Sequence, residues 1–271
     1  MVMFSLPKHF PGQNVWSFPA GGPTASAPLE PEPKRPVLIV LHQETSTPGR
    51  VGNALRALGH DLDIRRPRFG DPLPETLGEH AGAVVFGGPM SANDGEDYIR
   101  AEIDWIKIPL RERRPFLGIC LGAQMLAKHL GAPVAPHPQG RTQIGYYPVR
   151  PTEAGRRLCP DWPSHVYHWH REGFELPDGA ELLAEGDDFP VRAIRYDHCY
   201  GLQFHPDVTY AMMHRWTTRG CDRLDAPGAR ARHHHFADRA VHDFAERAWL
   251  TQFIADWLAR MPVRVLAQAA E

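Results

Sequence analysis

Short apolar segments alternate with segments of helical periodicity between residues 37 and 131 of the chain. The first of these apolar segments, residues 37–41, is continuous, which is typical of a parallel strand that is buried on both faces. We predict strands at residues 37–41, 61–66, 83–86 and 116–119, and helices at residues 48–58, 73–80, 98–113 and 123–130. Strands that alternate with helices at this spacing indicate βαβ units and therefore a parallel sheet.

The pattern changes after Gly131, where the apolar segments become shorter and often alternate with polar residues. These segments predict antiparallel or mixed strands, at residues 144–149, 165–168, 181–184, 191–196 and 200–204. An apolar stripe with helical spacing follows near the end of the chain, and it predicts a helix that packs on the core. The stripe consists of Val241, Phe244, Ala248, Leu250, Phe253, Ile254, Trp257 and Leu258.

The pattern divides the chain into three parts. Residues 1–36 are rich in Pro, Gly, Ala and Ser without periodicity, so we expect a flexible extension. Residues 37–260 are predicted to form one α/β domain, in which residues 209–240 are an added region of helix and loop. Residues 261–271 are predicted to be a tail.

Composition and charge exclude several classes of protein. A formal net charge of -2 over 271 residues gives no reason to expect a nucleic acid or an anionic membrane as a partner. No apolar stretch is long enough to span a bilayer, and no signal peptide is evident. The four cysteines contain no C-x-x-C pair, so a reducing cytoplasm is the expected location.

The first candidate for chemistry is a cysteine at the end of the predicted strand 116–119. Cys120 stands between Gly118 and Gly122, and a helix-favouring segment follows. Strand, sharp turn and helix in this order are the cysteine counterpart of the nucleophile elbow. The amides and the dipole at a helix N-terminus favour a thiolate. The alternative is that Cys120 is a small buried apolar residue.

A cysteine nucleophile needs a base, and the base needs a group that orients it. His205 ends the predicted strand 200–204, and Asp207 follows two residues later, within reach of one ring nitrogen. The carboxylate would fix the tautomer of His205 and support its charged form. The alternative is a surface histidine in a turn, since the chain has 16 histidines.

Acyl transfer through a thiolate also needs backbone donors for the oxyanion. The N–H group of Leu121 is one candidate. Gly88, after the predicted strand 83–86, is the other, because a residue without a side chain offers its N–H group at close range. The alternative is an ordinary glycine turn at Gly87-Gly88-Pro89.

The three motifs together resemble the class I glutamine amidotransferase domains, the Cys-His-Glu amidases of which the domain in GMP synthase is the most similar. The resemblance covers residues 37–208, and the segment 144–149 resembles a further family strand. It implies a flavodoxin-like parallel sheet flanked by helices, with an added small mixed or antiparallel sheet. It also implies that Cys120 attacks the side-chain amide of glutamine, with His205 as the base. A γ-glutamyl thioester, ammonia and glutamate would follow.

The resemblance implies substrate contacts as well, at Gly87, Gln124, Trp169 and His170. Two departures from the family pattern bear on function. Asp207 stands where the family has Glu, so we expect an altered rate rather than a loss of activity. Residues 169–172 are Trp-His-Arg-Glu near the usual Ser-His-Gly-Asp, so a strict preference for free glutamine stays open.

Four functions therefore remain open. The first is an amidase that releases ammonia, with a separate synthetase or a second copy of the chain as a partner. The second is a hydrolase of γ-glutamyl conjugates, and the third is a non-catalytic regulatory subunit with the same fold. The fourth is another hydrolase with an elbow cysteine, or a redox-sensing protein, on a similar sheet. We expect no cofactor and no metal, because His165, His168 and His170 lack Cys or carboxylate partners at zinc-like spacing. The run of residues 233–235 is predicted to be a solvated loop.

Overall fold

The structure is a computed structural model, and it describes residues 34–259. Residues 1–33 and 260–271 lie outside the described residues. Most of the predicted extension at 1–36 and all of the predicted tail at 261–271 are therefore not described, whereas the predicted domain at 37–260 is described up to residue 259. The strands are β1 (Lys34–Val40), β2 (His60–Arg65), β3 (Gly82–Val85), β4 (Phe116–Ile119), β5 (Val134–Pro136), β6 (Gln143–Pro148), β7 (Arg150–Pro151), β8 (His165–His170), β9 (Glu172–Phe174), β10 (Glu181–Glu185), β11 (Val191–Tyr196) and β12 (Cys199–Leu202).

Helices connect these strands and cover the sheet. The α-helices are α1 (Gly49–Ala57), α2 (Asp97–Trp105), α3 (Lys107–Glu112), α4 (Leu121–His129), α5 (Glu153–Leu158), α6 (Tyr210–Arg219) and α7 (Arg232–Ala259). Short 3-10 helices occur at Pro67–Phe69 and Cys221–Asp225. In the part of the chain that the structure describes, no helix is both long enough and apolar enough to cross a membrane.

One eight-stranded sheet forms the centre, in the order β2-β1-β3-β4-β12-β11-β10-β7. The first five strands in this order are mutually parallel, and β11, β10 and β7 continue the sheet in antiparallel pairs. Two small antiparallel pairs, β5 with β9 and β6 with β8, stand apart from it. The predicted fold class is confirmed, although strands 181–202 extend the main sheet instead of forming the added one.

The central strands are buried on both faces, as the continuous apolar segments predict. Within β1, Val37 and Ile39 belong to one apolar cluster while Leu38 and Val40 belong to another. Helices α1 and α7 contribute to the first cluster, and α2 and α4 contribute to the second. Because successive side chains of a strand point to opposite faces, each strand joins both layers of the core.

The predicted helix at residues 73–80 is wrong, because this segment forms a loop. Pro74 restricts Leu73 to extended conformations and has no N–H group for a helical hydrogen bond. The loop is fixed instead by Glu112, whose carboxylate accepts from the N–H group of Leu77 at 2.8 Å. Proline chemistry outweighs the apolar spacing that favoured a helix.

The predicted single helix at residues 98–113 is two helices, α2 and α3, that meet at Ile106. Pro109 cannot donate a hydrogen bond to the carbonyl group of Trp105, four residues earlier, and its ring crowds that turn. This missing bond accounts for the interruption of the helix at Ile106.

The predicted apolar stripe of α7 is right in part. Trp249, Phe253 and Trp257 are buried, whereas Val241 is 72% exposed and Phe244 is 82% exposed. Phe244 and Phe253 are nine positions apart, which places them on opposite sides of a helix of about 3.6 residues per turn. Val241 and Phe244 therefore belong to the outer face, and the stripe combined two faces.

The predicted solvated loop at residues 233–235 is also wrong, because these residues form the first turn of α7. His235 is fully buried, and its ring accepts from the hydroxyl group of Tyr167 at 2.9 Å and donates to the carbonyl group of Arg230 at 3.0 Å. It connects α7 to β8.

Candidate active site

Cys120 occupies a sharp turn between β4 and α4. Its backbone has φ 52° and ψ −104°, a conformation that is strained for a residue with a side chain. The flanking glycines permit this turn: a Cβ atom at Gly118 would clash with the backbone of Gly122, and one at Gly122 would clash with the carbonyl group of Val85. The N–H group of Cys120 donates to the carbonyl group of Leu202 at 2.7 Å, which fixes the turn to β12.

His205 and Asp207 follow β12, the parallel neighbour of β4. The carboxyl ends of the two strands lie at the same sheet edge, since Leu202 pairs with Ile119. His205 and Asp207 are both buried, and Nδ1 of His205 lies 3.1 Å from Oδ1 of Asp207. A Cβ atom at Gly87 would lie 3.3 Å from both the Cβ atom of Cys120 and the Nε2 atom of His205, so the thiol and this nitrogen share one small space.

The electrostatics of this cluster favour a charged histidine. Burial is the largest influence and lowers the pKa of His205. The charges of Cys120 and Asp207, with hydrogen bonds to both side chains, outweigh burial and raise that pKa to about 10. The arrangement is a buried cysteine beside a histidine that favours its charged form, with the Asp207 side chain on the other side of the ring.

A second buried pair supports the glycine turn after β3. Nε2 of His42 lies 2.7 Å from Oε2 of Glu102, and its Nδ1 lies 3.2 Å from the carbonyl oxygen of Gly87. His42 and Glu102 are almost completely buried. Because Gly87 offers an acceptor, Nδ1 carries a proton and donates it to this carbonyl group. The pair thereby fixes the peptide that leads into Gly88.

Two backbone N–H groups at this point have no acceptor within residues 34–259. They belong to Gly88 and to Leu121, the first residue of α4. A Cβ atom at Gly88 would lie 3.0 Å from the Cβ atom of His42 and 3.1 Å from the side chain of Leu121, so the two segments are in close contact. Unpaired amides beside a cysteine side chain are a suitable environment for a developing oxyanion.

The cleft above Cys120 has two lobes. The cysteine lobe, a cavity of about 190 Å³, is bordered by Cys120, Gln124 and Glu172. The arginine lobe, a cavity of about 280 Å³, is bordered by His205, Arg215 and Arg219. Both lobes are lined by Gly88, Pro89, Trp169 and Arg223, so they adjoin at the glycine turn.

The predicted substrate contacts fall around this cleft. Gly87 borders the arginine lobe, Gln124 and His170 border the cysteine lobe, and Trp169 borders both. The amide nitrogen of Gln124 donates to the carbonyl group of Glu172 at 2.9 Å and to Oε1 of Gln203 at 3.2 Å. Its own Oε1 atom has no protein donor in the described part of the chain.

His168 and His170 form a buried chain of hydrogen bonds. His170 donates from Nδ1 to the carbonyl group of Glu172 at 2.9 Å, and His168 donates from Nδ1 to Nε2 of His170 at 3.0 Å. Burial, followed by the charge of Arg192, lowers the pKa of both rings well below the ordinary range. Among the described residues no three His, Cys, Asp or Glu side chains are grouped to hold a metal.

Several residues of the site were not identified from the sequence. His42 directly follows the first apolar segment, and that position was its only signal. Glu102 lies on a helix whose charged residues are mostly exposed. Arg215 and Arg219 have helical spacing of four residues, but nothing in the sequence relates α6 to the cysteine turn.

Comparison with known proteins defines the class to which this fold and site belong. The family model of class I glutamine amidotransferases matches residues 44–218. The chain therefore belongs to the class I glutamine amidotransferase family, and the resemblance seen in the sequence is confirmed. A solved structure of a glutamine amidotransferase from Methylobacillus flagellatus has the same fold, with a TM-score of 0.78 at 24% identity over 88% of this chain and 100% of that one.

Two relatives are similar in sequence. The glutamine amidotransferase-like protein YfeJ of Salmonella typhimurium is 34% identical over 183 residues, which are 64% of this chain and 76% of that protein. The glutamine-hydrolyzing GMP synthase of Neisseria meningitidis serogroup C is 33% identical over 141 residues. That alignment covers 49% of this chain and 26% of the synthase, so the similarity extends over about a quarter of the larger enzyme.

Proposed function

We propose that the chain is a cysteine amidase that hydrolyses γ-glutamyl amides, with glutamine as the simplest substrate. One observation carries the proposal: Cys120 stands in the strained turn at a helix N-terminus, in the same small space as Nε2 of a buried His205 that Asp207 orients. Family membership is consistent with this chemistry, since the GMP synthase relative is named as glutamine-hydrolyzing.

The first half of the reaction forms a thioester. The thiolate of Cys120 attacks the amide carbon of the γ-glutamyl group, and the developing oxyanion accepts hydrogen bonds from the N–H groups of Gly88 and Leu121. The bond between carbon and nitrogen breaks as His205 donates its Nε2 proton to the leaving nitrogen. Asp207 holds the His205 ring in place and stabilises its charged form before the substrate binds.

The second half consumes one water molecule. His205, now neutral, takes a proton from water, and the hydroxide attacks the thioester carbon. The carbon–sulfur bond breaks, the thiolate of Cys120 returns, and the γ-glutamyl group leaves as glutamate. The sum is one amide and one water converted to glutamate and an amine, which is ammonia when glutamine is the substrate.

The test is release of ammonia and glutamate from L-glutamine by the purified chain. We expect equal amounts of both products, and complete loss of release in Cys120→Ala. Cys221→Ser is the matched control, because Cys221 is an exposed free thiol and should be dispensable. Release that persists in Cys120→Ala would remove Cys120 from the mechanism.

The non-catalytic alternative rests on Asp207 in place of Glu, and the contact of 3.1 Å between Asp207 and His205 argues against it.

We also propose that any released ammonia is passed to a separate synthetase, since one relative is a glutamine-hydrolyzing GMP synthase. A second copy of the chain is the other partner that we expect, and the cytoplasm is the expected location. Affinity purification of the tagged chain with glutamine present tests the partner.

A further inference from the structure

The arginine lobe lies on the side of the cleft from which a leaving group departs. Trp216 packs edge-on against the His205 ring, with ring centroids 4.9 Å apart. Helix α6 carries Trp216 between Arg215 and Arg219, so it presents both arginines to a cavity that starts at His205. The proton for the leaving nitrogen comes from His205. A substituent on that nitrogen would therefore extend into the arginine lobe, while the acyl group occupies the cysteine lobe.

The arginine lobe is larger than the release of ammonia requires. A molecule the size of water or ammonia takes up about 30 Å³. The cavity of about 280 Å³ has room for a leaving amine of several heavy atoms. The indole rings of Trp169 and Trp216, whose centroids are 5.8 Å apart, supply an apolar wall for such a group.

The lobe also carries unpaired positive charge. Arg215, Arg219 and Arg223 line it, and no acidic side chain within residues 34–259 forms an ion pair with any of them. Asp222 is the one carboxylate among the residues that line the lobe, so the three arginines leave an excess of two positive charges. Guanidinium groups bind carboxylates through paired hydrogen bonds. A leaving amine that bears a carboxylate fits both the charge and the size of the lobe.

We propose that the arginine lobe is a binding site for a leaving amine that carries a carboxylate, so that the preferred substrates are γ-glutamyl peptides. In these compounds the γ-glutamyl group is joined to the amino group of an amino acid or a short peptide. The inference rests on the proposed function, because it concerns the leaving group of the same reaction. Water attacks the same thioester, and the amino acid leaves with the proton of His205 in place of ammonia.

A matched pair of substrates tests the inference on the full chain. γ-Glutamylalanine and γ-glutamylethylamide differ only in the carboxylate on the leaving amine. We expect kcat/KM for γ-glutamylalanine to exceed that for γ-glutamylethylamide by at least about tenfold, the effect of one hydrogen bond to a charged group. In Arg219→Gln, and separately in Arg215→Gln, that ratio should fall by about tenfold. Arg219 is exposed, so its substitution should leave the fold intact.

Arg247→Gln is the control variant, because Arg247 is an exposed arginine on α7 that does not line the lobe. It should keep the wild-type ratio. Equal kcat/KM values for the two substrates, or a ratio that neither Arg215→Gln nor Arg219→Gln changes, would overturn the inference and leave the amidase proposal standing. If the arginines instead bind an acidic protein surface, neither Arg215→Gln nor Arg219→Gln should change the ratio. If neither glutamine nor any γ-glutamyl compound is hydrolysed, both proposals fail.

Discussion

Asp207 is one methylene shorter than the glutamate of the family pattern, yet its carboxylate reaches His205. The backbone on both sides of the pair explains the fit. The N–H group of His205 donates to the carbonyl group of Tyr167 at 2.7 Å, and the N–H group of Arg50 donates to the carbonyl group of Asp207 at 2.9 Å. The segment is thereby fixed between β8 and α1, at a distance that suits the shorter side chain.

Asp207→Asn should impair the reaction and move its pH dependence. The charge of Asp207 and its hydrogen bond both contribute to the raised pKa of His205, which is about 10. The leaving nitrogen needs a proton from His205, so wild-type kcat/KM should fall above about pH 10. In Asp207→Asn the alkaline limb should move to lower pH, and kcat should drop about 100-fold or more.

Measured pH profiles of kcat/KM check this prediction. Asp97→Asn is the control, since the side chain of Asp97 is almost fully exposed on α2. It should keep the wild-type profile. An alkaline limb at the same pH in Asp207→Asn and in the wild type would show that Asp207 does not set the charge of His205.

At the scale of elements, helix α7 is held to β8 by a buried carboxyl group. Glu246 is almost completely buried, and its Oε1 accepts from the N–H group of Tyr167 at 3.1 Å. Burial is the largest influence and raises the pKa of Glu246 to about 8, against the lowering effects of that hydrogen bond and of Arg50. The carbonyl group of the same residue, Tyr167, accepts from the N–H group of His205.

Glu246→Gln should remove a decrease in the free energy of unfolding that the wild type shows as pH rises. The pKa of Glu246 is higher in the folded chain, about 8, than its ordinary value of 4.5, so the folded state binds the proton more tightly. The free energy of unfolding therefore falls as pH rises from about 4.5 to about 8, and no further above it. Gln keeps the acceptor for Tyr167 but has no proton to lose, so this fall should disappear.

Urea unfolding at about pH 6 and about pH 8.5 checks the prediction. The free energy of unfolding of Glu246→Gln, relative to the wild type, should rise by roughly 2–3 kcal/mol between these two pH values. Glu175→Gln is the control, because Glu175 is exposed, and its difference from the wild type should not change with pH. An equal difference at both pH values for Glu246→Gln would contradict the argument.

At the scale of the whole molecule, the sequence predicts those parts in which one local rule dominates. Continuous apolar strands identify the parallel sheet, and glycines around Cys120 identify the turn, because each feature is set by neighbours in the chain. The helix predicted at residues 73–80 is wrong because Pro74 outweighs the apolar spacing of this segment. The prediction that Val241 and Phe244 pack on the core is wrong, because an apolar stripe does not show which face of α7 meets the sheet.

The site shows the same limit. Cys120, His205 and Asp207 follow the carboxyl ends of two adjacent parallel strands, so the pairing of these strands brings them to one edge. His42 and Glu102 are 60 residues apart, and α6 reaches His205 only through the folding of the region after β12. Such contacts depend on the packing of distant segments, and a single sequence holds no local signal for them.

The most direct test of the claim that Cys120 forms a thioester is mass spectrometry of the peptide that contains Cys120, taken during turnover. The chain is mixed with a γ-glutamyl substrate, quenched in acid and digested. The peptide that contains Cys120 should carry a γ-glutamyl group in thioester linkage, and the group should vanish on treatment with hydroxylamine. Turnover without any adduct on Cys120, or an adduct on Cys159, Cys199 or Cys221 instead, would contradict the mechanism.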